Sequence, residues 1–100
     1  MGKSAVALPI DQIADVCRMY RVHELSVFGS VLTDQFGTAS DVDFLVVFEP
    51  DAEIGFLAIA KMQRELSSLV HRPVDLVPKT GLKPAIREAV LADAQVIYAA

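Results

Sequence analysis

Apolar positions along this chain recur with two different periods, and the switching between them lays out the elements. From Pro9 to Arg21, Ile10, Ile13, Val16 or Cys17 and Tyr20 return at helical spacing, and Pro9 suits a first helical turn. Leu25 to Phe28 reads as a short strand broken by Gly29-Ser30. Residues 31 to 40 open as a helical turn and end in a loop at Gly37. Val42 to Phe48 is a nearly continuous β-branched and aromatic run stopped by Glu49-Pro50-Asp51, the strongest strand signal in the sequence.

A second helix is predicted over about Ala52 to Val70. Ile54, Leu57 or Ala58, Met62, Leu66 and Leu69 share one stripe, with Lys61, Arg64 and Ser68 opposite. Phe56 and Ile59 fall off that stripe and read equally well as a partner face or as extra core. Arg72-Pro73 ends the helix, and Val74 to Val77 forms a third strand closed by Pro78. A third helix runs from about Leu82 or Lys83 to Ala92 with Pro84 in its first turn, and Val96 to Tyr98 makes a last short strand. The order α-β-(turn)-β-α-β-α-β predicts an α/β (α+β) fold: a small mixed sheet with helices packed on it.

Composition narrows the picture. One hundred residues, 53% of them hydrophobic and 22% charged, are too apolar for a disordered chain and predict one domain over residues 1–100, with one core and no second lobe. Uninterrupted apolar runs such as Phe44 to Phe48 have five residues where a membrane span needs about twenty, so no membrane association is expected. The start Met1-Gly2-Lys3-Ser4 leads into a brief apolar stretch interrupted by Pro9 and Asp11, unlike a secretory leader. A lone Cys17 forms no internal disulfide and no Cys or His pair has zinc-ligand spacing, so the expected setting is the reducing cytoplasm. The net charge is −4 and the Lys and Arg residues are scattered, which disfavours direct binding to nucleic acid. A mean hydropathy of +0.42 predicts either an apolar face that meets another chain or a tight core.

Polar residues that propensity does not require fall in three places: Gly29-Ser30 after the first strand, Asp41 and Asp43 opening the second, and Asp75 near the start of the third. The short link between strands one and two predicts an antiparallel pair, which sets Ser30 beside Asp41. The helix between strands two and three is the ordinary crossover of parallel strands, so both begin at the same edge of the sheet. Asp41 and Asp43 point one way, about 6.6 to 6.8 Å apart along the strand, and a neighbouring strand lies about 4.8 Å off. With Asp75 on the matching face, three carboxylates converge and repel unless cations neutralise them. Magnesium suits such oxygen ligands and shares its shell with waters and phosphates. A pair of ions can hold the attacking and leaving oxygens of a phosphoryl displacement. Glycine lets the backbone approach an anion closely, and the amides that follow it point at that anion. Singly, Gly-Ser marks ordinary turns and Asp-x-Asp a solvated turn. In conjunction, with Asp43 inside the strand pattern where a bare charge is costly, they read as a triphosphate-using site.

Gly29-Ser30, ten intervening residues, then Asp41-Val42-Asp43 resembles the signature of the DNA polymerase β-like nucleotidyltransferase superfamily. More narrowly, the chain is similar to the minimal nucleotidyltransferases (MNT), the antitoxin half of bacterial and archaeal HEPN/MNT toxin-antitoxin pairs. Arg72-Pro73-Val74-Asp75-Leu76-Val77 resembles the strand bearing that family's third carboxylate, and the stretch from Leu82-Lys83-Pro84 to Tyr98 its closing helix and strand. The resemblance implies a polymerase β palm-like fold. It implies that Asp41 and Asp43 bind two Mg2+ ions, that Asp75 binds the catalytic ion and helps deprotonate the attacking hydroxyl, and that Gly29 and Ser30 hold phosphates. It further implies ATP as AMP donor, a tyrosine of a cognate HEPN toxin as acceptor, block of the toxin's RNase site by the attached AMP, and a homo- or hetero-oligomeric assembly. The chain departs from the family at one place: many relatives have an arginine within three residues of Gly-Ser, whereas Val31-Leu32-Thr33-Asp34 follow here. Lys79 or Arg72 is then the candidate substitute cation. Two other functions stand beside transfer to a toxin: an antitoxin that neutralises by binding alone, and a small-molecule nucleotidyltransferase of the antibiotic-modifying kind. His23 and His71 read as surface or capping residues, and Cys17 as core.

Overall fold

The computed structural model describes residues 8–28 and 41–100; the expectations for Gly29, Ser30 and the turn over 31–40 lie outside the described residues. Seven elements follow in the expected order: α1 (Ile10–Met19), β1 (Val22–Phe28), β2 (Val42–Phe48), α2 (Phe56–Val70), β3 (Val74–Pro78), α3 (Pro84–Asp93) and β4 (Gln95–Ala99). The four strands form one mixed sheet in the order β3-β2-β1-β4. β1 runs antiparallel to both β2 and β4, and β2 runs parallel to β3.

Strand alternation sorts the sheet into two faces. Val22, Leu25, Val27, Val42, Phe44, Val46, Val74 and Leu76 pack with Ile13, Val16 and Cys17 of α1 and Met62, Leu66 and Val70 of α2 into the core. The opposite face carries Ser26, Phe28, Asp43, Leu45, Asp75 and Val77, as the pairings Phe28↔Asp43, Ser26↔Leu45, Asp43↔Asp75 and Leu45↔Val77 require. Burial pushes the Cys17 thiol up to about 12, which leaves it a core hydrophobe rather than a nucleophile. Tyr20 Oη donates to Glu65 Oε2 at 2.6 Å and ties α1 to α2. The carboxylate acceptor raises the phenol to about 12.

Two boundaries differ from the sequence reading by three residues or more. The first strand begins at Val22 rather than Leu25, because Val22 and Glu24 pair with Phe48 and Val47 across a bulge. The extra residue, His23, lets Val22 and Leu25 reach the core although three positions separate them, which defeats a period-2 reading. The second helix begins at Phe56 rather than Ala52. Gly55, with φ −90 and ψ 179, is its extended N-cap, and Ala52 closes a turn onto the Glu49 carbonyl instead. Met62 and Leu66 of the expected stripe are buried together with Val70, and Ile59 and Leu69 pack against the core. Phe56 and Leu57 are 84% and 82% exposed. Among the described residues no helix is long and apolar enough to cross a membrane.

β3 is an edge strand, and its outward amides do not face water alone. The Val74 N–H donates to Ser67 Oγ at 3.0 Å and the Leu76 N–H to Gln63 Oε1 at 2.9 Å. Two polar side chains of α2 thereby substitute for a missing strand and hold β3 against β2. Replacing Gln63 by Ala strands a partly buried amide and is expected to lower stability by about 1 to 2 kcal/mol. Gln63→Glu, which keeps an acceptor, retains most of that stability; urea unfolding midpoints of the two variants check both outcomes.

Candidate active site

The site forms where β2 and β3 enter the sheet side by side. The Val42 N–H donates to the Pro73 carbonyl at 2.9 Å, which fixes the parallel register just before the carboxylates. That register sets Asp43 opposite Asp75. Neighbours in register share a face, and adjacent strands lie about 4.8 Å apart. Asp41 directly precedes β2, one strand period before Asp43 and so on the same side. The three predicted carboxylates come to one rim of the sheet, and Asp75 lies on the face that Asp43 occupies. Phe28, the last residue of β1, stands across from Asp43 on its other flank.

Asp41 and Asp75 are exposed, whereas Asp43 is half-buried. Its carboxyl is raised above the ordinary range, first by burial and then by the negative charges of Asp75 and Asp41. An open pocket of about 350 Å³ lies against Asp43 and Asp75, lined also by Phe28, Val77, Gly81, Leu82, Lys83 and Ile86. A larger hollow of about 600 Å³ runs along the outer side of α2 past Leu57, Lys61 and Arg64, where no carboxylate pair stands. Two of the predicted carboxylates, Asp43 and Asp75, border the smaller one.

The cations fall differently from the sequence reading. Lys79 lines a separate pocket with Val46, Val47, Phe48 and Arg87, and Arg72 lines neither. Lys83, which was read only as a helix boundary, lines the carboxylate pocket. The signal that could have found it is its place directly before Pro84, which terminates the segment leaving the Asp75 strand. His23 Nδ1 lies 3.6 Å from Glu49 Oε2 on the surface, and His71 caps α2 with φ 58, a left-handed conformation that His tolerates better than most residues. Neither histidine lines the pocket.

Residues 10–97 match the family described as the nucleotidyltransferase domain. The chain belongs to this family. It is similar to the protein adenylyltransferase MntA of Thermococcus cleftensis, with 37% identity over 79 residues, covering 79% of this chain and 76% of that one. Among solved structures it is similar to one described as a minimal nucleotidyltransferase, with 32% identity, a TM-score of 0.72 and 86% of each chain covered. Its fold also matches a chain in the complex of a tri-AMPylated Shewanella oneidensis HEPN toxin with an MNT antitoxin. There the TM-score is 0.68 at 18% identity, over 91% of this chain and 70% of that one. This chain is therefore a nucleotidyltransferase of mixed α/β fold, and nucleotides are its class of substrate.

Whether the donor set suits magnesium can be judged from the acids themselves. Among the described residues no three Asp, Glu, His or Cys side chains close into a cluster that encloses an ion. The arrangement is instead an in-register pair with a third acid one strand period away. That fits a cation that takes one or two carboxylates and completes its shell with water and substrate phosphate, rather than one that needs an all-protein cage.

The raised Asp43 pKa has a sign that can be measured. The fold favours the protonated form, so the contribution of Asp43 to stability is present at acid pH and is lost as pH rises through its raised pKa. Asp43→Asn is expected to raise the urea midpoint at pH 7, with the gain shrinking as pH falls below the carboxylate range near about 4. A gain of the same size at both pH values would contradict the carboxylate repulsion.

Proposed function

We propose that this nucleotidyltransferase transfers AMP from ATP to a hydroxyl of a partner protein, a tyrosine of a cognate HEPN-type toxin, and so acts in the cytoplasm as an antitoxin. The observation that carries the reading is the register of Asp43 against Asp75 with Asp41 on the same rim. Like charges held this close destabilise the free site, and a magnesium-bound triphosphate relieves them. The printed name of the Thermococcus cleftensis relative, a protein adenylyltransferase, and the AMPylated toxin of the Shewanella oneidensis complex support a protein acceptor. Exposed Ile86 at the pocket gives the mouth of the site an apolar contact for another chain, and exposed Phe56, Leu57 and Val96 offer more.

In the proposed reaction the acceptor oxygen forms a bond to the α-phosphorus. The bond from that phosphorus to the bridging oxygen breaks, and its electron pair leaves on pyrophosphate. The hydroxyl proton passes to the Asp75 carboxylate and from there to water. Asp41 and Asp43 would hold the metal ions, and Gly29 and Ser30 would bind the phosphates of the triphosphate. Two Mg2+ ions, when bound, supply charge neutralisation at the attacking and leaving oxygens.

One feature favours a second reading, neutralisation by binding alone: Val31-Leu32-Thr33-Asp34 supply no arginine after Gly29-Ser30. Mass spectrometry separates the two. The wild-type chain, incubated with its toxin, ATP and magnesium, is expected to add the mass of AMP to the toxin. The paired variant Asp41→Asn/Asp43→Asn is expected to lower the transfer rate by about 10²-fold or more and to release toxicity in cells. An unmodified toxin that both proteins neutralise equally well would establish the binding-only antitoxin.

A further inference from the structure

The pocket beside Asp43 and Asp75 has a second charged wall. Lys83 stands on it together with Gly81, Leu82 and Ile86. Its backbone is fixed on both sides. Lys83 is extended at φ −69 and ψ 139, as a residue before proline must be, and the preceding Leu82 is buried. The Lys83 carbonyl accepts the Ile86 N–H at 3.1 Å and the Leu82 N–H donates to the Lys79 carbonyl at 3.3 Å. The residue itself is exposed. Ion pairs among the described residues join Arg18 to Asp15, Arg21 to Asp51 and His23 to Glu49, and Lys83 takes part in none of them. The charges acting on Asp43 are Asp75 and Asp41, both negative.

One pocket is thus bordered by an un-neutralised carboxylate pair and by a lysine that is in none of these ion pairs. The ligand that complements both is anionic along its length and carries its own divalent cation at one end. A magnesium nucleoside triphosphate has that form. Lysine, a compact point charge with three donors, binds phosphate without demanding one bidentate geometry.

We propose that Lys83 binds the β- and γ-phosphates of the nucleotide and holds the departing pyrophosphate. The proposal rests on the nucleotidyl-transfer reading above. The Lys83 ammonium stabilises the electron pair that the breaking bond leaves on pyrophosphate.

Calorimetric titration of magnesium ATP and magnesium pyrophosphate into the full chain tests it. Lys83→Ala is expected to weaken both ligands by about tenfold or more, and Lys83→Arg, which keeps the charge, to stay within about threefold of wild type. Lys83→Ala binding both ligands as tightly as wild type overturns the proposal, as does an equal loss in Lys83→Ala and Lys83→Arg. Transfer assays then separate this proposal from the function it rests on. A wild-type chain that binds both ligands through Lys83 yet modifies no acceptor sinks the adenylyl-transfer reading and leaves the phosphate contact standing. A wild-type chain that modifies its toxin, with the KM for ATP unchanged in Lys83→Ala, sinks the Lys83 contact alone. A wild-type chain that binds neither ligand sinks both.

Discussion

The parallel pairing of β2 with β3 places two carboxylates in register on adjacent strands, and nearly every other feature either enforces that pairing or answers it. Left to electrostatics, Asp43 and Asp75 would separate, since repulsion between like charges a strand spacing apart opposes the register. Hydrophobic burial on the other face of the same strands holds them. Val42 and Val74, Phe44 and Leu76 are paired in the same register and anchored under Met62, Leu66 and Val70. A one-residue slip would turn those apolar side chains to solvent and the acids into the core, so the two faces enforce one another. The free edge of β3 is restrained from outside by Gln63 and Ser67, which makes α2 a support for the carboxylate rim as well as a lid on the core.

A division of labour between the faces follows. The helix-covered face gathers the fully buried residues, while the other face combines buried Leu45 and Ser26 with the half-buried Asp43. An acid placed there destabilises the free protein in proportion to how strongly a cation-bearing ligand stabilises it, because both effects come from the same uncompensated charge. On the proposed reading, the carboxylate pair is a stored preference for a metal-bound phosphate, kept affordable by the apolar packing behind it.

How much of this was legible in the sequence depends on whether the local pattern and the tertiary pattern agree. Val42 to Phe48 was read to its ends, because a β-branched and aromatic run between Asp41 and Pro50 has no competing helical period. The relation of Asp41, Asp43 and Asp75 was legible too, since it needs only strand alternation and the rule that a helical crossover joins parallel strands. The start of β1 was not, because the bulge at His23 converts an odd spacing into a common face. The bulge in β4, between the pairs Leu25↔Tyr98 and Ser26↔Val96, has the same consequence, and adjacent Ile97 and Tyr98 both pack on the core. By spacing Leu57 or Ala58 belongs to the core stripe, yet the helix starts at Phe56, and Leu57 in its first turn is exposed while Ala58 is half-buried. The relation of Gly29 and Ser30 to the rim rests on the sequence alone.

Lys83 was missed for a different reason. Along the sequence Arg72 and Lys79 are nearer neighbours of Asp75 than Lys83 is. Lys79 follows directly on Pro78 and lines the pocket farther along β2, beside Val47 and Phe48. After the 3-10 turn Lys79–Gly81 and the buried Leu82, Lys83 lines one pocket with Val77 and Asp75. α3 contributes little to this placement, having no buried residue of its own. The position of Lys83 is set instead by the turn, the Leu82 anchor and the φ lock of Pro84, a local code that no helical or strand period reveals. On the proposed reading, Lys83 takes the part of an arginine far away in sequence. What a triphosphate requires is a positive charge across the pocket from the carboxylates, and the fold can deliver it from any segment that crosses the rim.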